Sequence, residues 1–286
     1  MRRTPLRTAA GQDGPAEIRG AAFERIRRIL KTFGGFQLHV YKDACVKRRL
    51  DARMRAVGCA TAEEYADLLL LDKSETDALI KALTINFSRF FRNPATFDRL
   101  RDEVLPSLFS GCALAGRDSL SIRSVGCAGG EEPYTLAMIL RDSFAGELSR
   151  LKVSIVATDV DPEVLRTAVR ASYGPESLED TPPAMRERFF SFREGRFLLD
   201  PGIRDMVSFY REDLMLPRAG GEFDLILCRN VLIYFERRHQ EAVLAGLEGT
   251  LRQGGVLVLG KTETLLPAAR RMFRVVCPIE RIYRKI

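Results

Sequence analysis

A small all-α domain followed by a doubly wound, mostly parallel α/β sheet with a small β insertion is the fold this sequence predicts. Between residues 21 and about 100, apolar residues recur at spacings of three and four, and no strand pattern interrupts them. After Leu114, short β-rich runs alternate with helical stretches, the pattern of a parallel sheet covered on both faces. One stretch, 188–206, breaks that alternation with closely spaced phenylalanines and reads as a β excursion.

Residues 1–18 are polar, punctuated by Gly and Pro and without a period, so a mobile tail is expected there. Phe23, Ile26, Ile29, Leu30 and Phe33 define a first helix that Gly34-Gly35 stops. The second runs over 43–57 to Gly58, the third opens on the capping box Thr61-Ala-Glu-Glu, and the fourth spans about 74–83. The helical domain is therefore assigned to 19–100 and the sheet domain to 101–286. Strands are expected at 119–125, 152–158, 206–210, 223–228 and 255–260, with helices over 133–142, 162–171 and 239–252. Two last strands, 272–277 and 280–284, meet at Pro278 and predict an antiparallel hairpin that closes the sheet.

With 286 residues, 46% of them hydrophobic, the chain can bury a sizeable core without disulfides. The six cysteines form no CxxC pair and offer no zinc-site spacing, so packed thiols in a reducing cytoplasm, and no metal, are expected. No run is long enough to span a bilayer, and the early arginines precede no apolar stretch. The net charge of +7 favours an acidic partner, without choosing among nucleic acid, an anionic membrane surface and an acidic protein. Lys42, Lys47, Arg48, Arg49, Arg53 and Arg55 concentrate that charge around the second helix.

Four polar clusters fall at the carboxyl ends of successive strands, where open α/β sheets bind ligands. The first, running from Ser124 through Gly126, Glu131 and Glu132 to Tyr134, is a glycine-rich turn opening a helix, and it lacks the GxxxxGK[ST] of a phosphate loop. Two carboxylates there suit a ligand with cationic and hydroxyl groups, such as the ammonium, sulfonium and ribose of S-adenosylmethionine. Acids pairing with a helix dipole are the bland alternative. In the second cluster, Thr158-Asp159-Val-Asp161-Pro162, Asp159 is placed to grip a ribose and Asp161 to cap a helix. Glu212-Asp213-Leu214 follows the third strand and offers a polar group to an adenine, and Cys228-Arg229-Asn230-Val-Leu-Ile-Tyr234 follows the fourth.

The ordered runs YKDACVKRRLDARM (41–54), EEYADLL (63–69), LTINFSRFFRNPATF (83–97), GCAGGEEPYTLAM (126–138), ATDVDPEVL (157–165) and CRNVLIYF (228–235) resemble the CheR-type chemotaxis receptor methyltransferases. The resemblance extends from about Phe23 to Tyr283. It implies methyl transfer from S-adenosylmethionine to receptor glutamates, leaving S-adenosylhomocysteine. It implies that Asn86, Ser88 and Arg92 contact cofactor and target, Ser88 standing where the family has threonine. Gly126 would belong to the cofactor turn. Glu132, with Glu131 as second choice, would take the cofactor's amino-acid end, and Asp159 its ribose. Asp213 and Leu214 would lie near the adenine, Arg229 and Asn230 would form the RN pair, and Tyr234 would be the active-site tyrosine. An arginine of the insertion, matched to Arg193, would approach the site.

Arg92 and Tyr234 would then orient the incoming carboxylate, which is ionised at neutral pH and needs no general base. Arg48, Arg49 and Arg53 would dock on the acidic methylation region of the receptor's helical bundle. A monomer in the cytoplasm, without nucleic acid or membrane insertion, is the expectation.

A nucleic-acid methyltransferase would share the sheet and the charge. Amino-directed ones carry D/N-P-P-Y/F after the fourth strand, where this chain has Arg229-Asn230-Val231, and no basic stretch here is interleaved with aromatics for base stacking. A non-catalytic binding module is the other rival, and Arg92, Asp159, Arg229 and Tyr234 argue against it. Relatives that grip a receptor's C-terminal peptide carry a longer, Gly-containing loop in the insertion. Here Phe192-Arg-Glu-Gly-Arg-Phe-Leu198 turns tightly at Glu194-Gly195, so an incomplete peptide-binding edge is expected.

Overall fold

The computed structural model describes residues 20–34, 36–84, 88–216 and 221–286, and the tail expected at 1–18 lies outside them. Its contacts divide the chain into two compact units, Met1–Ile85 and Asn86–Ile286.

The first unit contains α1 (Ala21–Gly34), α2 (Asp43–Val57), α3 (Ala62–Leu71) and α4 (Lys73–Leu83). α2 stops where Gly58 turns to φ 76, a left-handed conformation that side chains disfavour, and its N–H closes on last-turn carbonyls. α3 starts at the capping box, with Thr61 Oγ1 accepting the Glu64 N–H and Glu64 Oε2 accepting the Thr61 N–H, each at 3.2 Å. Ile26, Leu30, Leu50, Tyr65 and Leu79 fill the core.

In the second unit, α5 (Pro94–Arg99), a π turn and α6 (Leu105–Leu114) lead into β1 (Ser119–Val125). The division at Ile85 corrects the boundary expected near residue 100. Phe90, Phe91, Phe97 and Leu100 pack into the same core as Ile122, Leu136 and Leu225 of the sheet unit. Next come α7 (Glu131–Ser143), α8 (Ala145–Leu148), β2 (Lys152–Asp159), α9 (Pro162–Arg170), β3 (Ser172–Tyr173), α10 (Pro183–Phe189), β4 (Phe190–Arg193), β5 (Arg196–Leu199) and α11 (Pro201–Arg204). The chain ends with β6 (Val207–Arg211), β7 (Phe223–Cys228), α12 (Arg237–Thr250), β8 (Leu251–Leu259), α13 (Pro267–Arg270), β9 (Phe273–Cys277) and β10 (Ile282–Lys285).

The main sheet runs β6-β2-β1-β7-β8-β10-β9, parallel through β8 and antiparallel at its last two strands. From β1 the chain first builds outwards through β2 to β6, then returns to add β7 and β8 on the other side. That reversal opens a crevice at the carboxyl edge of the central strands. Register brings three turns together there, since Val125 ends β1 opposite Thr158 of β2 and Cys228 of β7. The insertion is larger than the expected 188–206. β3 joins it from directly after α9, pairing Tyr173 with Phe197, so that a small sheet of order β3-β5-β4 forms.

Among the described residues no helix is long and apolar enough to cross a membrane, and no His/Cys/Asp/Glu cluster has the arrangement to hold a metal.

Candidate active site

Backbone bonds fasten the turn after β1 to the end of β2, and the turn after β7 packs against the first. The Gly126 and Cys127 N–H groups both donate to the Thr158 carbonyl, at 2.8 and 3.0 Å. Gly126 holds φ 67, and a Cβ there would lie 2.5 Å from Val231 Cγ2, so any side chain would push away the turn after β7. At the end of β2, Asp159 Oδ2 accepts the Ala128 N–H at 2.9 Å and Oδ1 accepts the Asp161 N–H at 3.0 Å. Burial still pushes the Asp159 carboxyl above the ordinary range. Each of its oxygens retains lone-pair capacity for a hydroxyl. Asp161 caps α9 through the Glu163 N–H at 2.8 Å, as its place before Pro162 predicts.

The adjacent acids of α7 differ sharply. Glu132 Oε1 accepts the Ser124 hydroxyl at 2.9 Å, and Oε2 faces Arg229 Nη1 at 3.1 Å. Arg229 is buried and commits Nη2 to the Arg92 carbonyl at 2.8 Å and Asn93 Oδ1 at 3.0 Å, with its guanidinium over the Phe97 ring. Glu132 and Arg229 thus form a strut between α7, the turn after β7 and the 88–97 segment. Glu131 is also buried, yet its Oε2 has no hydrogen-bond partner among the described residues. Its carboxylate folds back so closely that a Cβ on Gly129 would meet Oε1 at 2.7 Å. Burial pushes the Glu131 carboxyl up to about 7, opposed by hydrogen bonds from the Glu131 and Gly129 N–H groups and from Ser88. A buried oxygen left without a donor costs about 1–3 kcal/mol, and an ammonium group would relieve that cost. In Glu132, by contrast, Ser124 and Arg229 already occupy both oxygens.

Of the remaining site residues, Asn86 lies outside the described residues. Ser88 reaches the site through Glu131. Arg92 sits half-buried between Phe91 (φ 56) and Asn93 (φ 63), in a segment pinned by Phe90 N–H on the Ser177 carbonyl at 2.9 Å and Phe91 N–H on Thr135 Oγ1 at 3.0 Å. Tyr234, also half-buried, ends the 3-10 turn Leu232–Tyr234. Asp213 Oδ1 shapes the turn after β6 by accepting the Met215 N–H at 2.9 Å, and Leu214 beside it is half-buried. Glu212 pairs with the buried Arg123 of β1 at 2.5 Å. Arg193 is exposed on β4, and among the described residues its guanidinium bonds to none of these groups.

The expected docking arginines divide as well. Arg53 pairs with the buried Glu75, Nε to Oε1 at 3.0 Å and Nη2 to Oε2, and the Tyr65 hydroxyl donates to the same Oε1 at 2.6 Å. Arg49 donates to the Ala82 and Leu83 carbonyls at the end of α4. Both are drawn inward by the helical unit's own packing, and Arg48 is exposed. The sequence reading missed Glu263, which accepts backbone N–H groups from the turn after β7, and Glu280, which bonds Thr96 at 2.5 Å and Lys261 at 3.1 Å. Glu263 follows β8, so the strand-end rule that found the other clusters reaches it when applied to one more strand.

Comparison with known proteins follows the same division. Residues 21–84 match the all-alpha domain of CheR methyltransferases, and residues 86–280 match their SAM binding domain. The chain is 34% identical over 242 residues to the chemotaxis protein methyltransferase of Listeria monocytogenes, covering 85% of this chain and 89% of that one. With chemotaxis protein methyltransferase 1 of Pseudomonas aeruginosa it shares 32% identity over 270 residues, 92% of this chain and 97% of that one. A 104.1 kDa protein of Rhodobacter capsulatus is 37% identical over 265 residues, which are 91% of this chain and 27% of that protein.

Proposed function

The chain belongs to the CheR methyltransferase family, whose S-adenosylmethionine-binding domain it carries, and we propose that it esterifies glutamate side chains on the cytoplasmic helical bundle of chemoreceptors. The observation that supports this reading is the buried Glu131 oxygen without a hydrogen-bond partner among the described residues, close enough to Asp159 for the two charges to oppose each other. Such a pair fits a ligand that brings an ammonium to one acid and ribose hydroxyls to the other. When bound, S-adenosylmethionine supplies a methyl group activated by its sulfonium. Glu131 and Ser88 hold its amino-acid end, Asp159 its ribose, and Asp213, Leu214 and Asn230 close around the rest.

A glutamate carboxylate is already ionised at neutral pH, so no side chain has to remove a proton. The residues of the site align oxygen, methyl carbon and sulfur, which makes the step effectively unimolecular. Arg92 and Tyr234 orient the carboxylate, and Arg229 sets the backbone that presents Arg92. A tight ion pair from Arg92 would blunt the nucleophile, so its contact is loose. The enzyme works as a cytoplasmic monomer and meets the receptor by direct contact, with Arg48 the exposed one of the three docking arginines. Recruitment through a receptor C-terminal peptide is not part of this reading, because the β4–β5 hairpin turns in two residues, Glu194 (φ 48) and Gly195 (φ 76), with no added loop.

Labelled methyl transfer to receptor cytoplasmic fragments, with and without the C-terminal tail, tests both parts. A base-labile ester of equal yield on both fragments is expected. Label on nucleic acid and none on receptor would overturn the substrate assignment, and a large loss on tail removal would overturn direct docking.

A further inference from the structure

Glu263, which stands just after β8 and is 4% exposed, has every oxygen engaged by backbone. Its Oε2 accepts the N–H groups of Asn230 at 2.9 Å and Gly260 at 2.6 Å, and its Oε1 those of Val231 at 2.9 Å and Ile233 at 3.2 Å. Three of these four donors belong to the turn that leads from β7 to Tyr234. That turn contains Asn230 at φ 60, in the left-handed region that asparagine enters more readily than other side-chain-bearing residues. Gly260 permits the approach, since a Cβ there would lie 2.6 Å from Glu263 Oε2 and 2.8 Å from the Asn230 nitrogen. On its other side the turn meets Gly126, whose missing side chain leaves room for Val231. The turn is clamped between an acceptor and a bare backbone.

We propose that Glu263 is a positioning residue for methyl transfer. As a fourfold acceptor, it fixes the backbone of residues 230–233, and thereby the directions in which Asn230 meets the cofactor and Tyr234 meets the incoming carboxylate. A neutral or shorter side chain cannot replace it, because four N–H groups converging on one point demand two acceptor oxygens at full reach. This proposal rests on the crevice reading given under Proposed function.

The test is Glu263→Gln in the full chain, which keeps the volume but turns an amide donor toward backbone donors. The turnover number should fall at least tenfold while affinity for S-adenosylhomocysteine falls no more than threefold, Glu131 and Asp159 being untouched. Amide hydrogen exchange should rise in the peptide spanning 228–235 and stay unchanged in β1, β2 and the helical unit. Combined with Tyr234→Phe, the two losses of rate should be less than multiplicative. Should Glu263→Gln fail to fold, Gly260→Ala carries the same test, because it keeps the charge but intrudes between Oε2 and the Asn230 N–H. A turnover number within twofold of wild type, fully multiplicative losses, or exchange that rises evenly across the chain would overturn the proposal. Exchange needs no receptor, so it decides the role of Glu263 even where receptor methylation itself fails.

Discussion

The helical unit and the sheet unit treat a buried acid in opposite ways. Glu75 of α4 is fully provided for, with Arg53 on both oxygens and the Tyr65 hydroxyl on one of them. Glu131 of α7 is buried to a similar degree and among the described residues keeps one oxygen without a donor, although Glu132 beside it has partners for both. A fold that needs only stability satisfies its buried polar groups. Glu131 keeps its open acceptor at the carboxyl edge of the central strands, where the proposed function puts a cationic ligand, and Glu75 has no such role.

The sharpest way to break that contrast is to disturb the helical network. Arg53→Ala leaves Glu75 buried beside a single remaining donor and should lower unfolding free energy by about 3 kcal/mol, read from the urea midpoint. Crevice acids should behave differently. S-adenosylhomocysteine at about 100 times its dissociation constant stabilises a binding-competent chain by roughly 2.7 kcal/mol, and Asp159→Ala should remove most of that melting shift while leaving a cooperative apo transition. A ligand-induced shift that survives unchanged would take Asp159 out of the site. Arg48→Glu should have the smallest effect on the fold, within about 0.5 kcal/mol, and should raise the Michaelis constant for receptor without changing cofactor affinity. An unchanged Michaelis constant would reduce the basic helix to a solvated face.

Local physics was legible in the sequence and long-range physics was not. The limits of α2 follow from Gly58, and β1 and β7 fall on the residues their patterns predict, because a terminating glycine or a buried apolar run is a property of neighbouring residues. Asp161 was legible as a cap for the same reason. The two-residue β3 has no period to read, since it exists only through its pairing with β5. Phe90, Phe91 and Phe97 are spaced like helix-core residues, and nothing local says that their core is that of the sheet. That Glu132 is engaged on both oxygens depends on Arg229, a partner 97 positions away. Arg53 and Arg49 read as a charged face until α4 supplies an acid for one and carbonyls for the other.

Under the proposed function, Glu131 completes its bonding with the cofactor's ammonium. Burial lifts its carboxyl to about 7, so between the ordinary carboxylate range and that value the folded chain holds a proton that the unfolded chain has lost. Apo stability from this group therefore declines as pH rises through that window. Ligand affinity moves the other way, because the ammonium needs the carboxylate form. Calorimetry of S-adenosylhomocysteine binding from about pH 5.5 to about pH 8.5, on wild type and Glu131→Gln, tests this directly. Affinity should rise by up to about tenfold per pH unit below 7, level off above it, and become both weak and flat in the variant. A flat wild-type profile, or the same rise in Glu131→Gln, would contradict the assignment.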